Sequence, residues 1–165
     1  MNIFVVNPNN HEENALVHDD KRLVKMILET AQLLATAINF KGGKATYKST
    51  HINHPCSIWT RENNSNYMWL LNHFVALNKE YTYRYGKIHK CWNYYGEYLD
   101  NKYLFTNSET ISTHPNCTKF KEEPDVYEAY KKVLVDKWLN DKHSPKWTKR
   151  TPPMWAGNIN VKSNS

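Results

Sequence analysis

Apolar side chains recur every three to four positions through Leu23, Met26, Ile27, Leu34 and Ile38, a spacing that predicts an amphipathic helix over about residues 20–40. Asp19 or Asp20 stands where an N-cap belongs, and Gly42-Gly43 stand where such a helix stops. Met68, Leu71, Phe74, Val75 and Leu77 carry the same period into a second long helix, which Gly86 ends; Ser57 opens a helical turn or more ahead of it. A tyrosine-rich third piece covers about 88–100, and Asp125-Val126-Tyr127-Glu128 is a capping-box variant opening a last helix that reaches about 140. Ile3 to Val6 read as a short strand or extended entry segment, ended by Asn7-Pro8-Asn9-Asn10. Residues 104–124 hold Pro115 and Pro124 without a period, and read as a long loop. The pattern predicts a mostly α chain: a single compact helical domain over residues 1–157 with three to four main helices, a long loop and an aromatic-basic C-terminal tail, then a flexible end at 158–165.

The polar positions of the first long helix are informative. Arg22, Lys25, Glu29, Gln32 and Thr36 fall on one face, so one carboxylate sits in a stripe of cations and amides on a helix otherwise apolar enough for the core. Such a stripe can hold an acid rigidly beside a polyanion, but taken alone it is better explained as a solvated helix face with Lys25 and Glu29 as an ordinary i,i+4 pair. The formal net charge of +6 and an aromatic share of 13% favour a polyanionic partner, since cations neutralise phosphates and aromatic faces stack on bases. Basic and aromatic residues alternate in the connection holding Lys44, Lys48, His51 and His54, in Trp59-Thr60-Arg61 with Tyr67 and Trp69, and in the tail Lys146-Trp147-Thr148-Lys149-Arg150. Core packing accounts for the tryptophans of the middle group at least as readily as base stacking does.

Cys56, Cys91 and Cys117 are odd in number and widely spaced, without a C-x-x-C, which fits a reducing cytoplasm better than a disulfide framework or zinc ribbon. The apolar run at Ile3–Val6 is too short for a signal peptide, and no segment is expected to approach the ~18–20 apolar residues of a membrane span. Five glycines leave little material for a phosphate-cradling loop, and no G-x-G-x-x-G or Walker sequence occurs. His18-Asp19 with His51-x-x-His54 offers ligand types for a transition metal and hence a metal-assisted nuclease or phosphohydrolase, but the spacing defines no known site and a bound metal is not expected.

The run from Asp20 to Glu29 resembles the first-helix signature of the phage pyrimidine-dimer DNA glycosylases of the endonuclease V type. That signature has an aspartate nine residues before the catalytic glutamate and a leucine three after the aspartate, matched here by Asp20, Leu23 and Glu29. The order that follows, a basic connection with a histidine-anchored turn and then a long helix, is also similar, as is the aromatic-basic tail. The chain further resembles a group of uncharacterised phage proteins, some carrying the same glycosylase label. The resemblance implies a DNA glycosylase with AP-lyase activity on damaged or modified pyrimidines such as UV dimers, acting without cofactor through an amine–imine intermediate. Met1 would supply the α-amine, Glu29 would stabilise the sugar cation, and Lys21 or Lys25 would be substitute amines. Arg22, Lys44, Lys48, His51, His54, Arg61, Tyr67, Lys146, Trp147, Lys149 and Arg150 would hold duplex DNA. The chain departs from the pattern in Asn2, too large to permit removal of the initiator methionine, and in Arg22, where the family carries a histidine. A cytoplasmic monomer with no membrane partner is expected; a non-catalytic nucleic-acid-binding accessory protein is the third reading.

Overall fold

The computed structural model describes residues 2–157 and is all-helical, without a strand among them. Six α-helices follow in order: α1 His11–Leu16, α2 Asp20–Phe40, α3 Pro55–Glu62, α4 Asn64–Tyr85, α5 Tyr95–Asp100 and α6 Val126–Asn140, with short 3-10 turns at 90–94 and 102–104. The expected single helical domain is what forms, and the expected flexible end at 158–165 lies outside the described residues.

Residues 3–6 run extended through the core, with Ile3, Val5 and Val6 buried. They pair with no strand. Instead the buried Asn14 carboxamide accepts from the backbone N–H groups of Val6 and Asn7 at 2.8 and 2.9 Å and donates to the Asn7 carbonyl at 2.7 Å, doing the work of a ladder partner. Asn14 belongs to α1, a helix the periodicity did not predict because six residues are too few to show a period. Its local signals are the Asn10 cap on the Glu13 N–H, at 3.0 Å, and two glutamates in the first turn.

Helix α2 is the central element, packed against α3 and α4. Leu23, Met26, Ile27, Leu34 and Ile38 are buried as the period required, and so is Thr36, whose hydroxyl accepts from the Thr50 N–H at 3.1 Å and thereby ties down the basic connection. Gly42 ends the helix by turning to φ 90°, with the Gly42 and Gly43 N–H groups donating back to the Asn39 and Ile38 carbonyls. Gly43 follows because a Cβ there would lie 2.6 Å from Ile38 Cγ2. By length and mean hydropathy α2 would qualify as a membrane span, contrary to the expectation that no segment comes near one. Its side chains instead make it the core helix, and Lys25 and Glu29 interrupt its middle.

Asn63, extended, breaks α3 from α4 and caps the latter, accepting from the Asn66 N–H at 2.8 Å. Gly86 ends α4 in the left-handed region at φ 68°. The long loop is held by specific bonds: Trp59 Nε1 donates to the Ser112 carbonyl, Ser112 N–H to Asn66 Oδ1, and Tyr130 Oη to the Pro115 carbonyl. In the tail, Trp147 and Trp155 pack against Trp138, with ring centroids 5.1 and 5.8 Å away.

An ion-pair network joins these pieces. The Arg84 side chain is fully buried; it donates to Glu80 Oε2 and Asp20 Oδ1, each at 3.0 Å, and to the Leu16 carbonyl at 3.0 Å. Glu80 also accepts from Arg150 at 2.8 Å, and Asp20 accepts from the Thr148 N–H at 3.0 Å. One guanidinium thus fastens the end of α1, the start of α2, the end of α4 and the tail. Arg84→Met should destabilise the fold by up to about 3–5 kcal/mol, because it removes the buried cation that Glu80 and Asp20 share and leaves them only Arg150 and Thr148; urea unfolding followed by circular dichroism checks this.

Four histidines pack against aromatic rings, His18, His73 and His114 buried and His11 partly so. His114 stacks on Trp59 at 4.3 Å, His73 on Trp69 at 5.3 Å, His11 contacts both His73 and Trp69, and His18 sits edge-on to Phe4. Burial lowers all four pKa values, those of His18 and His114 to about 3. The unfolded chain therefore binds protons that the folded chain refuses below about pH 6.5. Stability should be fully present above that pH and fall as the pH drops toward 3, with a slope of up to about 1.4 kcal/mol per pH unit for each histidine. Urea titrations at stepped pH should show the decline; a profile flat from pH 7 to 4 would mean that these rings charge inside the fold.

Candidate active site

Glu29 is half-buried at the third turn of α2 and lines a cavity of about 430 Å³. Four chain segments build its walls: Asn2 and Phe4 from the extended entry, Lys21, Arg22, Lys25 and Met26 from α2, Cys117, Thr118 and Lys119 from the long loop, and Val133, Asp136 and Lys137 from α6. Five cations stand against two carboxylates, so the cavity is net positive around a single glutamate of α2. Lys119 and Asp136 pair at 2.8 Å across the loop–α6 junction.

The floor is strained. Phe4 has φ 56°, a left-handed conformation that costs a bulky aromatic residue of order 1–3 kcal/mol and persists only where the surroundings impose it. The impositions are visible: Ile3 and Val5 are locked in the core, and the Phe4 ring packs edge-on to His18 and Tyr130. The strain turns the chain so that Asn2 reaches the wall of the Glu29 cavity.

The expected site residues divide into two groups. Glu29, Lys21 and Lys25 share the cavity, and Arg22 lines it too. Arg22 is however committed to structure: its guanidinium is bidentate on Asp141 at 2.8 and 3.0 Å and touches Asp19 at 3.2 Å, fastening the start of α2 to the end of α6. The bond from Arg22 pulls the Asp141 carboxyl below its usual range. Met1 lies outside the described residues. His54 borders the cavity indirectly, a ring nitrogen lying within 4.8 Å of the sulfur of Cys117.

The remaining expected contacts are elsewhere. Lys44, Lys48 and His51 are exposed on the connection after α2 and line no wall of the cavity. Arg61 donates to the Ile52 carbonyl and lies over the Phe40 ring at 3.8 Å, bracing that connection. Tyr67 is a correction: it is fully buried, donates to the Tyr98 carbonyl and stacks on Phe105, so no base can reach it. Trp147 is a second correction, buried with Nε1 donating to the Val17 carbonyl. Lys149 donates to the Tyr83 carbonyl and Arg150 pairs with Glu80 while covering the Tyr83 ring, so they act as a clasp on α4; Lys146 stays exposed. Sequence reasoning missed Lys119, Lys137, Asp136, Cys117 and Thr118. Those on α6 were legible as polar positions of a helix, but nothing in an aperiodic loop signals that residues 117–119 close a cavity.

The metal arrangement suggested by His18, Asp19, His51 and His54 does not assemble. His18 and Asp19 are buried, the latter accepting from Trp138 Nε1 at 2.8 Å, while His51 is exposed. Among the described residues one group has ligand-type atoms close together, His54, Cys56 and Cys117. Its histidine is already engaged, with Nδ1 accepting from the Cys56 N–H at 3.1 Å; a neutral ring so bonded carries its proton on Nε2 and offers a donor there instead of a lone pair.

A family model described as pyrimidine dimer DNA glycosylase matches residues 1–94. The chain belongs to that family. The match runs from the strained entry segment through α2, with Glu29, to the first 3-10 turn. The pyrimidine-dimer glycosylase part of the cavity is thus the entry and α2, whereas residues 117–119 and α6 lie beyond the matched region. No curated protein and no solved structure matches the chain.

Proposed function

We propose that this chain excises damaged or modified pyrimidines from duplex DNA through an amine–imine mechanism, and then cleaves the strand as an AP lyase, with Glu29 as the catalytic carboxylate. One observation carries the reading: Glu29 and Asn2 line the same cation-rich cavity, so the entry segment leads toward the carboxylate it would work with. An α-amine titrates near 7.7–8.0 against about 10.4 for lysine, so much more of it is neutral and nucleophilic at cellular pH. In this mechanism the amine attacks C1′, the C1′–N bond breaks and the base departs, leaving an imine to the sugar. Glu29 stabilises the positive charge that grows on the sugar and assists the proton removal that later breaks the strand. Lys21 and Lys25 are the substitute nucleophiles, and with Lys119 and Lys137 they supply cations for the phosphates on either side of the target. The protein acts as a cytoplasmic monomer without a metal.

Glu29→Gln should keep the fold and DNA affinity while losing base excision by orders of magnitude, since the role is one of charge. Incubation of ultraviolet-irradiated DNA with borohydride should trap a covalent adduct with the wild type and not with a form blocked at its N-terminus. An adduct surviving the block would move the nucleophile to a lysine; no adduct and no base release on any modified pyrimidine would leave a binding protein.

DNA affinity should fall steeply with salt, with a log–log slope of several units, and Lys25→Ala should lower that slope by about one. Fluorescence anisotropy across a salt series measures both. Binding insensitive to salt would show that the cation-rich cavity does not hold phosphates.

A further inference from the structure

Cys56 and Cys117 come from distant parts of the chain and meet in the interior with their sulfurs 3.6 Å apart. Neither is in a C-x-x-C, and one lies outside the family-matched region. Their surroundings differ in kind. Cys56 is fully buried in the first turn of α3, where the Nδ1 of His54 fixes its backbone. Cys117 is only partly buried and is one of the residues that line the Glu29 cavity, where a small solute can approach it. A ring nitrogen of His54 lies within 4.8 Å of both sulfurs. The contact is a thiol beside a potential thiolate, one shielded and one open.

We propose that Cys117 and Cys56 form a hydroperoxide-reactive thiol pair in the wall of the cavity, with Cys117 the attacking thiolate and Cys56 the resolving thiol. The electrostatics agree. The hydrogen bond from Cys56 draws the Cys117 thiol below its ordinary range, and the Lys121 charge adds to the effect. The same bond and burial push Cys56 up, so it keeps the proton. A low-pKa accessible cysteine next to a resolving one is the arrangement that oxidises selectively.

The chemistry balances with hydrogen peroxide as oxidant. The Cys117 thiolate attacks the nearer peroxide oxygen; an S–O bond forms, the O–O bond breaks, and the departing hydroxide takes up a proton to become water. The Cys56 sulfur then attacks the sulfenic sulfur of Cys117, forming the S–S bond and expelling the hydroxyl, which leaves as water with the Cys56 proton. The two thiols lose two electrons and the peroxide gains them. The product ties the long loop to the start of α3 across the cavity wall. Cys91 is an internal control: it is buried, touches the Tyr47 hydroxyl, and burial raises its pKa.

The test uses the full chain, reduced, desalted and titrated with hydrogen peroxide, with free thiols then alkylated and the protein analysed by intact mass and peptide mapping. Wild type should lose the mass of two hydrogens, link the Cys56 and Cys117 peptides, and leave Cys91 alkylated. Cys56→Ser should stop at the sulfenic acid and be labelled by dimedone at Cys117, whereas Cys117→Ser should give neither product. Should the variants fail to fold, the rate of iodoacetamide labelling of wild type against pH decides, with Cys117 reacting first and with a midpoint below that of an ordinary thiol. Oxidation of Cys91 as fast as Cys117, an inert Cys117, or purification with one equivalent of zinc that protects both thiols would each overturn the proposal.

Discussion

Arg84 is the constraint on which the arrangement depends. A guanidinium with no exposed side-chain surface must find a partner for its donors inside the protein, and the partners it finds belong to α1, α2 and α4. Two of those partners, Glu80 and Asp20, pass the connection on to Arg150 and Thr148 in the tail. The aspartate at the head of the family-like signature is therefore a structural hub of the start of α2, and its position fixes how that helix presents Glu29 about two and a half turns later. Arg22 repeats the device at smaller scale, joining the same helix start to the end of α6 through Asp141. Between them the two arginines hold α2 from both sides of its N-terminal turn.

With α2 held, the cavity follows from what must pass beside it. The entry segment has no strand to pair with, so Asn14 satisfies its backbone, and the core fixes its alternate residues. Phe4 absorbs the resulting turn as backbone strain, and the chain emerges at the cavity wall. Strain of this kind collects where a surrounding structure over-determines a residue, which functional sites often do. The wall opposite is made by α6 and the long loop, outside the region shared with the family. A common entry-and-helix half thus faces a half built by later sequence, and the latter brings Lys119, Lys137 and the cysteine pair.

The helices were legible because each long one carries its period, and its punctuation is chemical: Asn63 and Asp125 cap, Gly43 is pressed against Ile38, and Gly86 turns left-handed. Glu29, Lys21 and Lys25 were legible as a site because one helix supplies all three, and helical spacing is a local property. Tyr67, Trp147, Arg61 and Arg150 were misread for the converse reason. An aromatic residue beside a cation has the same local pattern whether it faces a nucleic acid or a neighbouring helix, and burial decides between the two.

By itself the sequence determined the long helices, the polar stripe on α2 and the spacing that links it to the pyrimidine-dimer glycosylases, all of which depend on residues within a few turns of one another. Tertiary structure alone decided which cations remain available for a polyanion, since Arg22 and Arg150 find their carboxylates more than sixty residues away. It also decided that residues 2, 29, 117 and 137 share one cavity, and that Cys56 and Cys117 touch. Periodicity and capping are written in neighbours. Charge neutralisation, enclosure and thiol pairing are set by which distant segments the core forces together, and no local pattern encodes that.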